Sequence, residues 1–307
     1  MSLRILKAGP MTTIQDFGRS GYLSSGITSS GAMDTHSLAL ANLLVGNPMD
    51  AAGLEFCLFG PSVAFDSDSC VSVTGGFSPK LNGSPVKSYT TLNVSTGDVL
   101  EVGHAKSGVY GYLAVSGSFA IEAVLGSMST NTKCGIGGVD GNRLSDGMDI
   151  ALRQEEHREC KAIIPPAEET GPLYIRVILG PQTDRFTKRG LDAFLGEEYT
   201  VAMQSDRMGI RLEGAAIETI NGTDIISDGT ALGAIQVPGN GQPIILMADR
   251  QTTGGYAKLG VIASIDIPRL AQAKPGRKIR FVSISVEDAQ KNYADYCNAM
   301  KRFASEF

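Results

Sequence analysis

Gly233-Ala-Ile-Gln-Val-Pro-Gly-Asn-Gly-Gln-Pro-Ile-Ile-Leu-Met-Ala-Asp-Arg-Gln-Thr-Thr-Gly-Gly-Tyr256 is the stretch on which the reading of this chain turns. Its apolar run, Pro243-Ile-Ile-Leu-Met247, is short, rich in β-forming residues and bounded by glycine and polar residues, so it reads as a strand. The strand breaks off into Asp249-Arg250-Gln251-Thr252-Thr253, five consecutive side chains able to hydrogen-bond. Gly254-Gly255 follows, a pair that lets backbone come close to a ligand.

The same grammar recurs outward in both directions. Ser62–Phe65, Val71–Thr74, Asp98–Val102, Gly111–Val115 and Tyr174–Leu179 are short apolar or alternating runs closed by turn formers. Glycine, 37 of 307 residues, lies between such runs without a period. Asn82-Gly83 and Asn221-Gly222 are hairpin-turn dipeptides, and Thr96-Gly97-Asp98 is a further turn. Many short strands without long intervening helices predict a mainly β protein built from barrels or sandwiches, not a doubly wound sheet. Three helices interrupt them. Asp34 caps one that runs to Val45 and is closed by Gly46, with Leu40, Leu43 and Leu44 inward. Thr183–Leu195 reads as a second, with Phe186 and Phe194 on its apolar side. The third, C-terminal, opens at Ser285-Val-Glu-Asp288, and its stripe Ala289, Tyr293, Tyr296, Cys297, Met300 and Phe303 predicts a docked face. The polar, proline-containing stretch Gln154–Pro172 is the expected boundary, giving domains 1–165 and 166–307. Leu58-Phe-Gly-Pro61 and Ile178-Leu-Gly-Pro181 are a faint sign of duplication.

Several classes are disfavoured. With 27 Lys+Arg against 32 Asp+Glu, a net charge of −5, and no basic cluster beyond Lys274–Arg280, a nucleic-acid or anionic-membrane surface is not expected. Met1–Lys7 has no apolar signal segment, and no run approaches the ~20 residues of a spanning helix, so a cytoplasmic protein is expected. Five scattered cysteines and His36, His104 and His157 give no metal-ligand spacing, and reduced thiols are expected. Asn298-Ala-Met-Lys301 echoes a biotin-attachment tripeptide but lies on the C-terminal helix, without a carrier-domain hairpin around it. There is no G-x-x-x-x-G-K-[ST] phosphate loop and no G-x-S-x-G elbow. Cys134–Gly141 misses the dinucleotide-binding spacing and reads as a loop.

What remains is polar residues set among glycines. Gln15-Asp-Phe-Gly-Arg-Ser-Gly-Tyr22 brings Gln15, Asp16 and Arg19 into one turn-rich loop. Ser205–Gly214 alternates, so that Met208, Ile210 and Leu212 face one side and Arg207, Gly209, Arg211 and Glu213 the other. That second face is either a site wall or a solvated outer surface. At 249–253, Arg250 can clamp a carboxylate or phosphate through a planar fork, and Asp249 can accept from an amide N–H. The candidate substrate-binding set is Arg207, Arg211, Gln236, Arg250, Gln251, Thr252 and Tyr256. Asp249 is the candidate catalytic group, Gln15, Asp16 and Arg19 form a second cluster, and no metal site is proposed.

At these residues the chain resembles a known family. Gln-Asp-x-Gly-Arg-x-Gly-Tyr at 15–22, Ser-Gly-Ala-Met-Asp at 30–34, Ala-Asn-Leu-Leu-Val-Gly-Asn at 41–47, Leu-Gly-Ser-x-Ser-Thr at 125–130, 205–214 and the whole 233–256 block are similar to the biotin-dependent carboxyltransferase-like family. That family includes the 5-oxoprolinase C subunit, allophanate-hydrolase-subunit-2-like proteins, the Kip antagonist and part of urea carboxylase. The resemblance, from about residue 4 to about residue 282, implies two cyclophilin-like β-barrel domains. It also implies a hetero-oligomer with a B-subunit or Kip-inhibitor-like partner and, in the bacterial hydrolase, an A-subunit protein.

The first function implied is that of the C subunit in an ATP-dependent 5-oxoprolinase, which opens 5-oxo-L-proline to L-glutamate. ATP is then used by the complex, with no site assigned to this chain, and Arg250 or Arg207 holds the substrate carboxylate. The alternatives are a carboxyltransferase component passing CO2 from carboxybiotin to a urea-like amide, or a non-catalytic antagonist of a Kip-inhibitor-type protein. Biotin matters only to the former, and no biotin-carboxylase or carrier domain is recognised in the sequence. Met128 departs from the pattern by standing where the family usually carries Arg.

Overall fold

The computed structural model describes residues 1–153 and 159–306, so His157 and part of the expected boundary stretch lie outside the described residues. The chain forms two compact units: Met1–Ser20, Ser30–Glu168 and Phe303–Phe307 make one, Gly21–Ser29 and Glu169–Arg302 the other.

The first unit wraps two antiparallel sheets around one core. In the six-stranded sheet the order is Asp149–Ala151, Ser2–Lys7, Phe59–Phe65, Val99–His104, Lys80–Leu81, Ser84–Pro85. In the five-stranded sheet it is Thr12–Gln15, Gly53–Cys57, Tyr110–Val115, Ser69–Thr74, Thr91–Val94. Strand alternation fills the core with Leu3, Ile5, Val63, Phe65, Leu100 and Val102 from the first and Leu54, Phe56, Val71, Val73, Leu113 and Val115 from the second. Asn82-Gly83 joins the smallest hairpin with φ of 51° and 79°, both positive as a two-residue turn matched to strand twist requires.

Tyr110–Val115 and Ser69–Thr74 are buried along their whole length because helix Thr35–Leu44 covers their second face. Asp34 caps that helix through the Ser37 N–H, and Leu40, Leu43 and Leu44 are buried as expected. Its last carbonyls lack intrahelical donors. The sheet supplies two: Ser72 Oγ–H donates to Ala41 O and Thr91 Oγ1–H to Leu44 O, each at 2.6 Å.

The second unit is a closed barrel of seven strands in the order Leu173–Leu179, Lys258–Ile262, Ala234–Gln236, Ile244–Leu246, Gly209–Glu213, Tyr199–Val201, Lys278–Ser283. Its circle is completed by a parallel pairing of Leu173–Leu179 with Lys278–Ser283. Ile175, Val177, Tyr199, Ile210, Ile235, Ile245, Leu259 and Phe281 are buried in it. A two-stranded ribbon, Asp224–Gly229 with Thr253–Tyr256, accompanies the barrel. Residues 21–29 join this unit, with Thr28 Oγ1–H donating to Ala248 O at 3.2 Å.

One helix expectation needs correction, and another is met in part. The helix expected at Thr183–Leu195 is two pieces, a 3-10 turn Pro181–Arg185 and an α-helix Lys188–Gly196. Phe186 is extended there, and Thr187 starts the second piece by accepting from the Gly190 N–H at 3.0 Å. Both phenylalanines are buried, and Phe194 stacks on Phe281 with ring centroids 4.3 Å apart. The C-terminal helix, Val286–Ala304, is capped by Ser285 as expected. Its apolar stripe is covered in part: Met300 is buried, Ala289, Tyr296, Cys297 and Phe303 are half-buried, and Tyr293 is 49% exposed.

One carboxylate organises the wall of the barrel. Asp266, wholly buried, accepts from Arg176 Nε–H at 2.9 Å, Nη2–H at 2.6 Å and main-chain N–H at 2.8 Å, and from Arg269 Nη1–H at 2.7 Å. Arg269 also forks onto Glu169, with both bonds at 2.7 Å. Burial pushes the Asp266 pKa up, but the bonds from the two arginines outweigh it and hold the carboxyl below its usual range. A carboxyl with a depressed folded pKa stabilises above its unfolded pKa, and loses that contribution as pH falls through the folded value. Asp266→Asn is expected to cost about 3 kcal/mol, the low end for a broken buried pair because both arginines are about one-third exposed. Urea titration at pH 7 and pH 3 checks this: the gap between wild type and variant should be full at pH 7 and narrow below about pH 4.

Candidate functional site

The turn before Gly209–Glu213 and the run after Ile244–Leu246 meet at one end of the barrel. Asp206 makes the turn, its Oδ1 accepting from the Met208 N–H at 2.8 Å and the Gly209 N–H at 3.2 Å. Met247 N–H donates to Met208 O at 2.9 Å and Asp249 N–H to Arg207 O at 2.8 Å, so the two segments are stitched through backbone. Arg207 then grips Asp249 with Nε–H at 2.8 Å and Nη2–H at 3.0 Å, and the two side chains are only 7% and 9% exposed.

This changes the reading of the alternating segment. The strand begins at Gly209, so Arg207 belongs to the turn and points inward to Asp249, while Arg211 and Glu213 stay on the exposed outer face. The expectation that Arg207 and Arg211 share one face is therefore corrected. Asp249, with both oxygens engaged by Arg207, is placed to anchor the rim.

Arg250 is the contrasting neighbour. It is 5% exposed, its Nε–H donates to Thr230 O at 3.3 Å, and no carboxylate among the described residues pairs with it. Burial alone pushes its guanidinium pKa below the ordinary value. A desolvated cation without a counter-ion attracts an anion strongly, and a guanidinium presents a fork matched to carboxylate or phosphate.

Thr230 ties this arginine to the amides beside it. Thr230 Oγ1–H donates to Gln251 O, and Thr230 N–H to Thr252 O at 3.0 Å. Gln251 Nε2–H donates to Gln236 Oε1 at 3.1 Å, while Gln236 Nε2 is buried with no hydrogen-bond partner among the described residues. A Cβ on Gly254 would collide with Gln236 Nε2, so glycine is required for the amide to sit there. The structure thus gathers Arg250, Gln251, Gln236 and, through its backbone, Thr252. Tyr256 lies on the ribbon, opposite Asp224 and 42% exposed. Thr230 was not found by sequence reasoning; in Asp228-Gly-Thr-Ala-Leu232 nothing distinguishes it from any turn threonine.

The second cluster is built in the first unit. Asp16 accepts four hydrogen bonds: from Gly18 N–H at 2.7 Å, Ser127 Oγ–H at 2.7 Å and Ser129 Oγ–H on Oδ1, and from Met128 N–H at 2.6 Å on Oδ2. With three donors on Oδ1 and one on Oδ2, this side chain pins the 125–130 loop to the 15–22 loop. Arg19 is almost fully buried and donates Nη2–H to Ser129 O. Gln15 donates to Thr13 Oγ1 at 3.0 Å and Thr130 O at 3.1 Å. A cavity of about 560 Å³ beside this loop pair is lined by Asp16, Phe17, Asp50, Met128 and Arg153 among others. Met128, one of these lining residues, also packs against the hydrophobic core of the unit. Ser127 and Ser129 were not singled out as site residues, although the 125–130 motif contained them.

Residues 25–283 match the carboxyltransferase domain, subdomain A and B, and the chain belongs to that family. It is 38% identical to the 5-oxoprolinase C subunit of Escherichia coli (strain K12), over 95% of this chain and 94% of that one. It is 36% identical to the protein of the same name from Haemophilus influenzae, over 94% and 93%. The crystal structure of K. lactis urea amidolyase superposes with a TM-score of 0.92 at 29% identity, covering 98% of this chain but only 20% of that one. Among the described residues no helix is long and apolar enough to cross a membrane.

Asp249→Ala should leave Arg207 as an uncompensated buried charge and cost about 3–5 kcal/mol in a urea titration. The double variant Arg207→Met/Asp249→Leu should recover most of that loss, since well-packed apolar residues can replace a buried pair at little cost. A single variant as stable as wild type would mean that this pair does not hold the rim.

Proposed function

We propose that this chain is the C subunit of an ATP-dependent 5-oxoprolinase, a hydrolase complex that opens 5-oxo-L-proline to L-glutamate with an A and a B subunit. The observation that carries the reading is likeness over nearly the whole of both chains to two bacterial subunits of that name. The rim chemistry is compatible with the substrate, which has a carboxylate and a lactam amide. Arg250 is a buried fork donor for the carboxylate, with carboxamides from Gln236 and Gln251 alongside. Asp249 acts by holding Arg207, so that the rim stays in register around Arg250. ATP is consumed by the complex, and no residue of this chain is assigned to it.

A second reading, a carboxyltransferase component moving CO2 from carboxybiotin to a urea-like amide, is favoured by the superposition on K. lactis urea amidolyase. The chain spans only a fifth of that protein, and the reading would need biotin-bearing partners.

The purified chain is expected to have negligible activity on 5-oxoproline and ATP, with glutamate formed only after A and B subunits are added. Turnover by this chain alone overturns the shared-site part of the proposal. No turnover by the full mixture, with carboxylation of urea by biotin-bearing partners instead, favours the second reading.

In the active complex, Arg250→Lys keeps the charge but loses the fork. A charge-assisted hydrogen bond contributes ~1.5–3 kcal/mol, so kcat/KM should fall about 10- to 150-fold while the melting temperature stays near wild type. A lowered melting temperature with near-normal turnover would instead make Arg250 a structural residue.

A further inference from the structure

We propose that Gln236 is the specificity residue of this rim, donating from Nε2–H to the amide carbonyl oxygen of the substrate, and that Gly254 exists to leave that donor in place. The inference rests on the substrate class proposed above. Gln236 ends strand Ala234–Gln236 and is 3% exposed. Its Oε1 is occupied by Gln251 Nε2–H at 3.1 Å. With Gln251 donating through Nε2–H, the Gln236 amide presents its NH2 group as the free end. Buried donors without acceptors are rare in folded proteins, and each calls for an explanation by a ligand, a function or an ordered water. The close approach of Gly254 to Nε2 shows that a side chain there is incompatible with the observed amide position.

Thr230 fixes how this donor relates to the cation. Its carbonyl oxygen accepts from Arg250, its hydroxyl donates to the carbonyl of Gln251, and Gln251 holds Gln236. The guanidinium fork and the orphan N–H therefore hang on one short chain of hydrogen bonds. Together they match a molecule with two acceptor groups, a carboxylate and an amide carbonyl. A ring amine bearing only a carboxylate would satisfy Arg250 and leave Gln236 as it is now. Sites that hydrogen-bond a substrate group discriminate strongly against analogues lacking it.

The test compares 5-oxoproline with L-proline, which keeps the carboxylate and lacks the carbonyl, in the assembled complex with A and B subunits. The wild-type complex should have a KM for 5-oxoproline at least 10-fold below the inhibition constant of proline. Gln236→Leu, an apolar replacement of similar size, should raise the KM for 5-oxoproline about 10- to 100-fold and leave the inhibition constant of proline unchanged. Gly254→Ala should produce the same selective loss by displacing the amide, and Arg250→Lys should weaken both molecules together. If Gln236→Leu preserves the preference for 5-oxoproline, the inference is overturned, including where the orphan donor is met only by water. If the wild-type complex does not turn over 5-oxoproline, the functional reading falls first, and this assignment falls with it.

Discussion

The rim of the barrel depends on the buried fork between Arg207 and Asp249. Their two bonds, with the backbone bond from Asp249 N–H to Arg207 O, lock the run after Ile244–Leu246 to the turn before Gly209–Glu213. Removing two charges from water is costly, and such a pair persists only with good geometry and its remaining polar groups satisfied. The pair also leaves the adjacent Arg250 as a buried guanidinium without a carboxylate among the described residues.

Much of the fold was legible because short-range signals decided it. Runs such as Val71–Thr74 and Gly111–Val115 could be read as strands from β-branched and aromatic content and their closing turn residues. Asp34, Gly46 and Ser285 announced helix ends through local capping chemistry. The failures also have local causes. At 183–195 an apolar spacing suited to one helix concealed the cap at Thr187, which breaks the segment. In the C-terminal helix the stripe was real, but periodicity reports which residues share a face and does not report what covers it.

The site was legible as composition and illegible as partnership. Arg250 stood out because it belongs to five polar residues that follow an apolar strand, and the structure buries it. Nothing in the order of residues said that Asp249 would be engaged by Arg207, 42 positions earlier, or that Asp16 would collect donors from 127–129. Such pairings follow from register and topology. The alternation at 205–214 misled for a related reason: it holds only while the backbone is extended, and the chain at Arg207 is still turning.

The parallel pairing that completes the barrel joins Leu173–Leu179 to Lys278–Ser283, the first and last of its strands. Those strands are separated by about a hundred residues, so the loop-closure entropy of joining them is offset only as the intervening pairings, such as Thr200–Glu213 and Gln236–Ile244, form. On a ribosome making the chain from its N-terminus, this unit cannot close until its last strand has emerged. Meanwhile Leu173–Leu179 waits with an unpaired edge, so slow folding and self-association through that edge are the hazards built into this topology.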